Sequence, residues 1–132
     1  MIGGSPRILV SAEAKEYKRE VQWLTRAAGV RQPMVGRLKV SIVLIPHCPQ
    51  DVAKRSQKDP EAWDMSVRCL DVDNCVKVTL DALKGVAFGD DDQVHKLDVE
   101  RGEPGKAGML VTIEPWVPAW LRQANLFLAG AA

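Results

Sequence analysis

Two short acidic segments hold the residues whose types and spacing suit chemistry. The first is Asp71-Val72-Asp73-Asn74-Cys75-Val76-Lys77, and the second is Gly89-Asp90-Asp91-Asp92-Gln93-Val94. Asp71 and Asp73 flank a single residue, so their carboxylates project together where an extended chain turns into a helix. Lys77 follows Asp73 by four positions, which puts both on one helical face. The turn at 89–93 offers a third carboxylate. Two or three aspartate oxygens, with water in the remaining positions, form the hard donor set that Mg²⁺ prefers. Such an ion orients a phosphodiester, activates a water and neutralises charge on the transition state. A lysine beside it stabilises that charge or holds the attacking water. Each piece also has a plain structural use: D-x-D as a helix cap, Asp73 with Lys77 as an exposed helix pair, Gly-Asp-Asp-Asp as a solvated turn. Spacing alone leaves both uses open.

The elements that position these acids follow from hydrophobic period. Ser11 suits a helix N-cap, with Glu13 in the first turn where the dipole favours an anion. Tyr17, Val21, Leu24 and Ala28 then make one apolar stripe, and Gly29 stops the helix. In GRLKVSIVLI at 36–45, Leu38, Val40, Ile42 and Leu44 alternate with less apolar positions until Pro46, the pattern of a strand. Residues 47–65 have no sustained period and two prolines, so they are expected to form a long polar loop with a helical turn after Pro60. Asp73 precedes a second helix anchored by Val76, Leu80 and Leu83 and ending at Gly85. Gln93–Arg101 and Met109–Glu114 are two further strands, joined by a turn containing Gly102, Pro104 and Gly105.

Composition narrows the field. At 132 residues and 46% hydrophobic, the chain has the length of one domain and enough apolar content for a core. No apolar run approaches the ~18 residues of a membrane span, and the N-terminus lacks the apolar stretch of a signal peptide. Cys48, Cys69 and Cys75 are few, odd in number and without a CxxC, which fits a reducing cytoplasm. His47, His95 and these cysteines lack zinc-like pairing and are expected to be structural. The net charge of +1 hides an asymmetry. Residues 1–46 carry eight Lys/Arg against three Glu, whereas 71–100 carry eight Asp/Glu against three Lys. Solvated faces explain this, and so does a phosphate-binding surface around an acidic centre. The tail from Trp116 has Pro118 at the start of a helix and an apolar face of Trp120, Leu121, Ala124 and Leu128. With Leu126 and Phe127 it carries enough apolar surface to need cover, from its own sheet or from a second copy.

L-D-V-D-N-C-V-K-V-T-L-D-A-L followed by G-D-D-D-Q-V resembles the signature of the RusA family of crossover-junction endodeoxyribonucleases. The pattern D-x-D-N-x-x-K falls on 71–77, D-A-L on 81–83 and D-D-x-Q-V on 90–94, and V-S-A-E-x-x-x-Y at 10–17 is similar to the family's first helix. The likeness spans residues 8–114. It implies a homodimeric nuclease dependent on Mg²⁺ (or Mn²⁺) that cuts four-way (Holliday) DNA junctions by paired symmetric incisions. Asp71, Asp73 and Asp91 would hold metal and, with Lys77, be catalytic; Asp90 is the neighbouring acid, and Asp92 fills a variable position. Lys15, Lys18, Arg19, Lys54, Arg55, Lys58 and Arg68 would meet phosphates. The fold expected is α/β of the α+β type, a small mixed sheet flanked by two main helices. A nuclease domain at 1–115 would be followed by a helical extension at 116–132. The chain starts almost at the first helix, so the strand that precedes it in the family is expected to be missing, and basic residues before Asp71 are thin. These departures motivate a second reading, a junction-binding module with little or no nuclease activity. A third is a divalent-ion-binding protein without nucleic acid.

Overall fold

The computed structural model describes residues 7–10 and 17–124, with side chains from Arg19 onward. In chain order the elements are β1 (Arg7–Val10), α1 (Tyr17–Ala27), β2 (Leu38–Ile45), α2 (Val52–Lys58), a 3₁₀ turn (Trp63–Ser66), α3 (Val72–Leu83), a second 3₁₀ turn (Asp91–Gln93), β3 (Val94–Arg101) and β4 (Gly108–Pro115). The four strands form one mixed sheet in the order β1-β4-β2-β3. β4 pairs antiparallel with both β1 and β2, and β3 runs parallel to β2.

The alternation in β2 has the physical cause its sequence suggests. Leu38, Val40, Ile42 and Leu44 are buried while the residues between them are half-exposed, so one face of the sheet meets the core. Val111 and Ile113 of β4 sit in register with Ile42 and Val40 and are buried with them. Leu83 at the end of α3 and Phe88 just after it complete this core, with Val21 from α1. α1 ends at Gly29, whose φ of 102° is open to glycine and disfavoured for other residues. Ser11 and Glu13 lie outside the described residues.

Several expectations change. A strand does precede α1: β1 is a four-residue edge strand, too short for an alternation pattern to stand out, and it pairs with β4 from Arg7↔Thr112 to Val10↔Met109. The segment 47–65 is not simply a loop, because α2 occupies seven of its residues. No residue of α2 is buried, so it has no apolar period to read. Asp51 and Arg55, 2.8 Å apart, and the Arg55 guanidinium donating to Ser66 Oγ and carbonyl (both 3.2 Å) fasten it instead. The 3₁₀ turn at Trp63 supplies the helical turn expected after Pro60. The Gly/Pro turn after β3 makes no hairpin, since β2 lies between β3 and β4.

α3 starts two residues earlier than Asp73 suggests, with Asp71 as its N-cap residue. Its buried stripe is Cys75, Thr79, Ala82 and Leu83 rather than Val76, Leu80 and Leu83. Cys75 Sγ lies 3.0 Å and Thr79 Oγ1 3.5 Å from Met109 Sδ, so small side chains let the helix approach the sheet closely. After β4, residues 119–124 are helical, with the Pro118 carbonyl accepting from the Leu121 and Arg122 amides. Trp116 is half-buried beneath Lys96 and Arg122, whose charged groups stand 5.2 and 5.3 Å from its ring. Leu126, Phe127 and Leu128 lie outside the described residues. No helix among the described residues is long and apolar enough to cross a membrane.

Candidate active site

α3 sets the geometry of the acids because it lies antiparallel to β2 and β3. Near its start, Cys75 touches Met109, which is in register with Leu44 at the far end of β2. Cys69, just before α3, shares a small surface cavity with Pro46 and Arg101, which follow β2 and end β3. At the other end, Lys84 bridges to Phe88, which bridges in turn to Met34 ahead of β2. The twelve residues of α3 span about 18 Å at 1.5 Å per residue.

Asp71, Asp73 and Lys77 occupy the first turns of α3. All three are exposed. Asp71 is extended (φ −64°, ψ 141°) and makes no side-chain capping bond. The helix start nevertheless favours anions through its unpaired N–H groups and dipole. Among the described residues, Asp73 and Lys77 form no ion pair, which leaves the ammonium available to another anion. Arg68 is three residues upstream of Asp71 and exposed; Lys54 and Lys58 are exposed on α2, whose Arg55 is tied to Ser66 by two bonds. The predicted phosphate contacts of α2 and Arg68 therefore gather at the same end of the sheet as Asp71. Arg19 is exposed on α1, whereas Lys15 and the Lys18 side chain lie outside the described residues.

Asp90, Asp91 and Asp92 sit at the opposite end. Asp90 caps the 3₁₀ turn by accepting from the Asp91 amide at 2.7 Å, and Lys84 Nζ lies 3.4 Å from it. A side-chain hydrogen bond with Asp91, the Asp91 amide and Lys84 together hold Asp90 below the ordinary carboxylate range. The same side-chain bond pushes Asp91 up. Gln93 fixes the turn. Its Oε1 accepts from the Gly89 and Asp90 amides (2.8 and 3.2 Å), and its Nε2 donates to the Met34 and Gly36 carbonyls (2.9 and 3.0 Å). Sequence reading saw Gln93 only as a motif letter and the first residue of a strand; the fourth place after Gly89, ready to close a capping box with Asp90, was the available signal.

One chain thus joins Asp71, Asp73 and Lys77 but leaves Asp91 near the far end of α3. Among the described residues, no three His, Cys, Asp or Glu side chains converge to hold a metal ion. A single chain does not fit the three-carboxylate metal set expected from the resemblance. Two carboxylates at a helix start, beside exposed cations, can still receive a hydrated cation or order water against a phosphate.

No curated protein matches the chain. The family model described as Endodeoxyribonuclease RusA matches residues 2–114, from before β1 almost to the end of β4, and includes every acidic residue of both motifs. On that match over most of its length, the chain belongs to the RusA endodeoxyribonuclease family.

Proposed function

We propose that the protein cuts phosphodiesters at four-way DNA junctions by paired symmetric incisions, as a homodimer using Mg²⁺ or Mn²⁺. Family membership supports junction-resolving endonuclease activity. The single observation that carries the reading to this chain is the start of α3. There Asp71 and Asp73 stand exposed and uncapped, with Lys77 one turn on and the cations of α2 and Arg68 at the same end of the sheet. The cations draw in the phosphate backbone and set its register. Asp71 and Asp73 would hold a hydrated divalent ion, and the Lys77 ammonium would offset negative charge as it builds on the scissile phosphate. A bound divalent ion supplies Lewis-acid activation there. A two-fold dimer suits a junction because it presents two equivalent sites to two equivalent strands.

The second reading, a junction-binding module without cleavage, is favoured by one observation: the three carboxylates do not meet within one chain. A synthetic four-way junction incubated with the protein, in Mg²⁺ and in EDTA, tests both. Nicked duplex products in Mg²⁺ alone support the nuclease. A mobility shift without cutting in either condition supports the binding module. Neither shift nor cleavage leaves a divalent-ion-binding protein without nucleic acid.

A further inference from the structure

The chain after β4 lies beyond the residues that the family model matches, and it brings two tryptophans to the end of the sheet where β2 and β3 begin. Trp116 continues the ladder between β4 and β2: its amide donates to the Arg37 carbonyl at 2.9 Å, one step past the Leu38↔Pro115 pair. Lys39 stands between buried Leu38 and Val40, and it is in register with both Glu114 and Lys96. Lys39, Glu114, Lys96 and Trp116 therefore share the face of the sheet turned away from the helices.

Charge on this face is sorted. Lys39 Nζ takes up the two nearby acids, at 3.4 Å from Asp98 and 3.7 Å from Glu114. Three other cations meet rings instead. Lys96 and Arg122 stand over Trp116, and the Arg37 guanidinium lies 5.6 Å from the centre of the Trp120 ring. Among the described residues, Arg37, Lys96 and Arg122 form no ion pair. All three are exposed, and so is Trp120, at 64%. Contact with an indole ring orients a cation without neutralising it, so the patch presents net positive charge around two aromatic rings.

That combination fits an unpaired nucleic-acid strand, whose phosphates meet the cations while its bases stack on the rings whatever their identity. In a duplex the base faces are already stacked on one another, which leaves Trp120 nothing to take up. An acidic peptide satisfies the cations but brings no base to the ring. The patch also borders the acidic turn, because Gly36, the neighbour of Arg37, accepts from Gln93 at 3.0 Å.

We propose that this patch binds an unpaired DNA strand, with Trp120 as the stacking platform and Arg37, Lys96 and Arg122 on the phosphates. It goes beyond junction cleavage, since such binding needs neither a metal ion nor the acids at the start of α3.

The test is the anisotropy of a short fluorescein-labelled oligo(dT) titrated with the full chain in EDTA, beside a labelled duplex of the same length and a labelled oligo-aspartate peptide. Trp120→Ala is expected to weaken oligo(dT) binding about tenfold and to leave duplex binding unchanged, whereas Trp120→Phe keeps most of the affinity. Arg37→Ala with Arg122→Ala should weaken oligo(dT) binding and flatten its salt dependence. Circular dichroism shows that each variant is folded; Trp120 is exposed enough for its removal to be tolerated. Absence of oligo(dT) binding, or equal binding by wild type and Trp120→Ala, overturns the proposal. An equal loss on the duplex overturns the stacking role, and peptide binding with the same dependence on Trp120 reassigns the patch to acidic proteins. Because binding is read in EDTA, failure of the protein to cut a junction in Mg²⁺ would sink the nuclease reading and leave this result standing.

Discussion

At the start of α3, Asp71 and Asp73 are exposed, Asp71 accepts no capping bond, and nearby Lys54, Lys58 and Arg68 face solvent. At the other end, Asp90 is engaged by Lys84 and the Asp91 amide, and Gln93 closes the turn with four hydrogen bonds. The first end is an open pair of anions on a helix start; the second is a braced acidic turn. Chemistry at the first depends on what it recruits, and at the second on how rigidly Asp91 is presented. The difference teaches that two motifs close together in sequence are kept apart in space by the helix that begins in one and ends just before the other.

Removing the open pair should have the largest effect. Asp71→Asn or Asp73→Asn is expected to abolish junction cleavage while leaving fold and junction binding intact, or tightening binding by relieving repulsion with phosphates. Circular dichroism, gel shift and cleavage on one preparation check this, and a near-wild-type cutting rate in either variant would break the comparison. Lys77→Ala should lower turnover at least tenfold, about 1.4 kcal/mol at the transition state, with little change in the Mg²⁺ concentration needed for half activity. Were the lysine only a helix-surface residue, turnover would hold and stability would move by a few tenths of a kcal/mol.

Bracing at the second end predicts a smaller, separable loss. Gln93→Ala leaves two amides and two carbonyls without their partner and should cost about 1–2 kcal/mol of stability by denaturant unfolding, with slower cleavage. Gln93→Glu keeps an acceptor for the Gly89 and Asp90 amides but cannot donate to Met34 and Gly36. It should fall between wild type and alanine, and equal loss in both variants would show that only the carbonyl side matters. Lys54→Ala with Lys58→Ala should weaken junction binding and flatten its salt dependence by about one unit of slope for each phosphate that is no longer neutralised. An unchanged slope would remove α2 from the DNA surface.

Much of this architecture is legible in the residues, and what escapes has identifiable causes. β2 reads directly because each buried residue alternates with a half-exposed one. α1 reads because Val21 and Leu24 recur on one face and Gly29 ends it. α2 escapes because an ion pair and a guanidinium bridge hold it without burial. β1 escapes because four residues cannot establish a period. The buried stripe of α3 is displaced because Cys75 and Thr79, weak apolar signals, win by letting the helix sit close over Met109. The residues of the candidate site are readable from motif spacing, but their separation is not, since spacing carries no direction and α3 runs against β2.

The smallest predicted effect lies in the core beneath the first end. Burial pushes the Cys75 thiol above its ordinary value. The folded protein therefore disfavours a thiolate that the unfolded chain forms freely. Its contribution is full below the ordinary thiol pKa of about 9 and declines as pH rises past it. Iodoacetamide at pH 8 should label Cys48 and Cys69 well before Cys75, as mass spectrometry of peptides can show.

The central claim, two equivalent sites acting on two equivalent strands, is tested most directly on a supercoiled plasmid that extrudes a cruciform. Paired incision within one binding event predicts that linear DNA appears from the outset in Mg²⁺, with little nicked circle accumulating before it. Accumulation of nicked circle that never becomes linear, or recovery of intact supercoiled plasmid, would contradict the account.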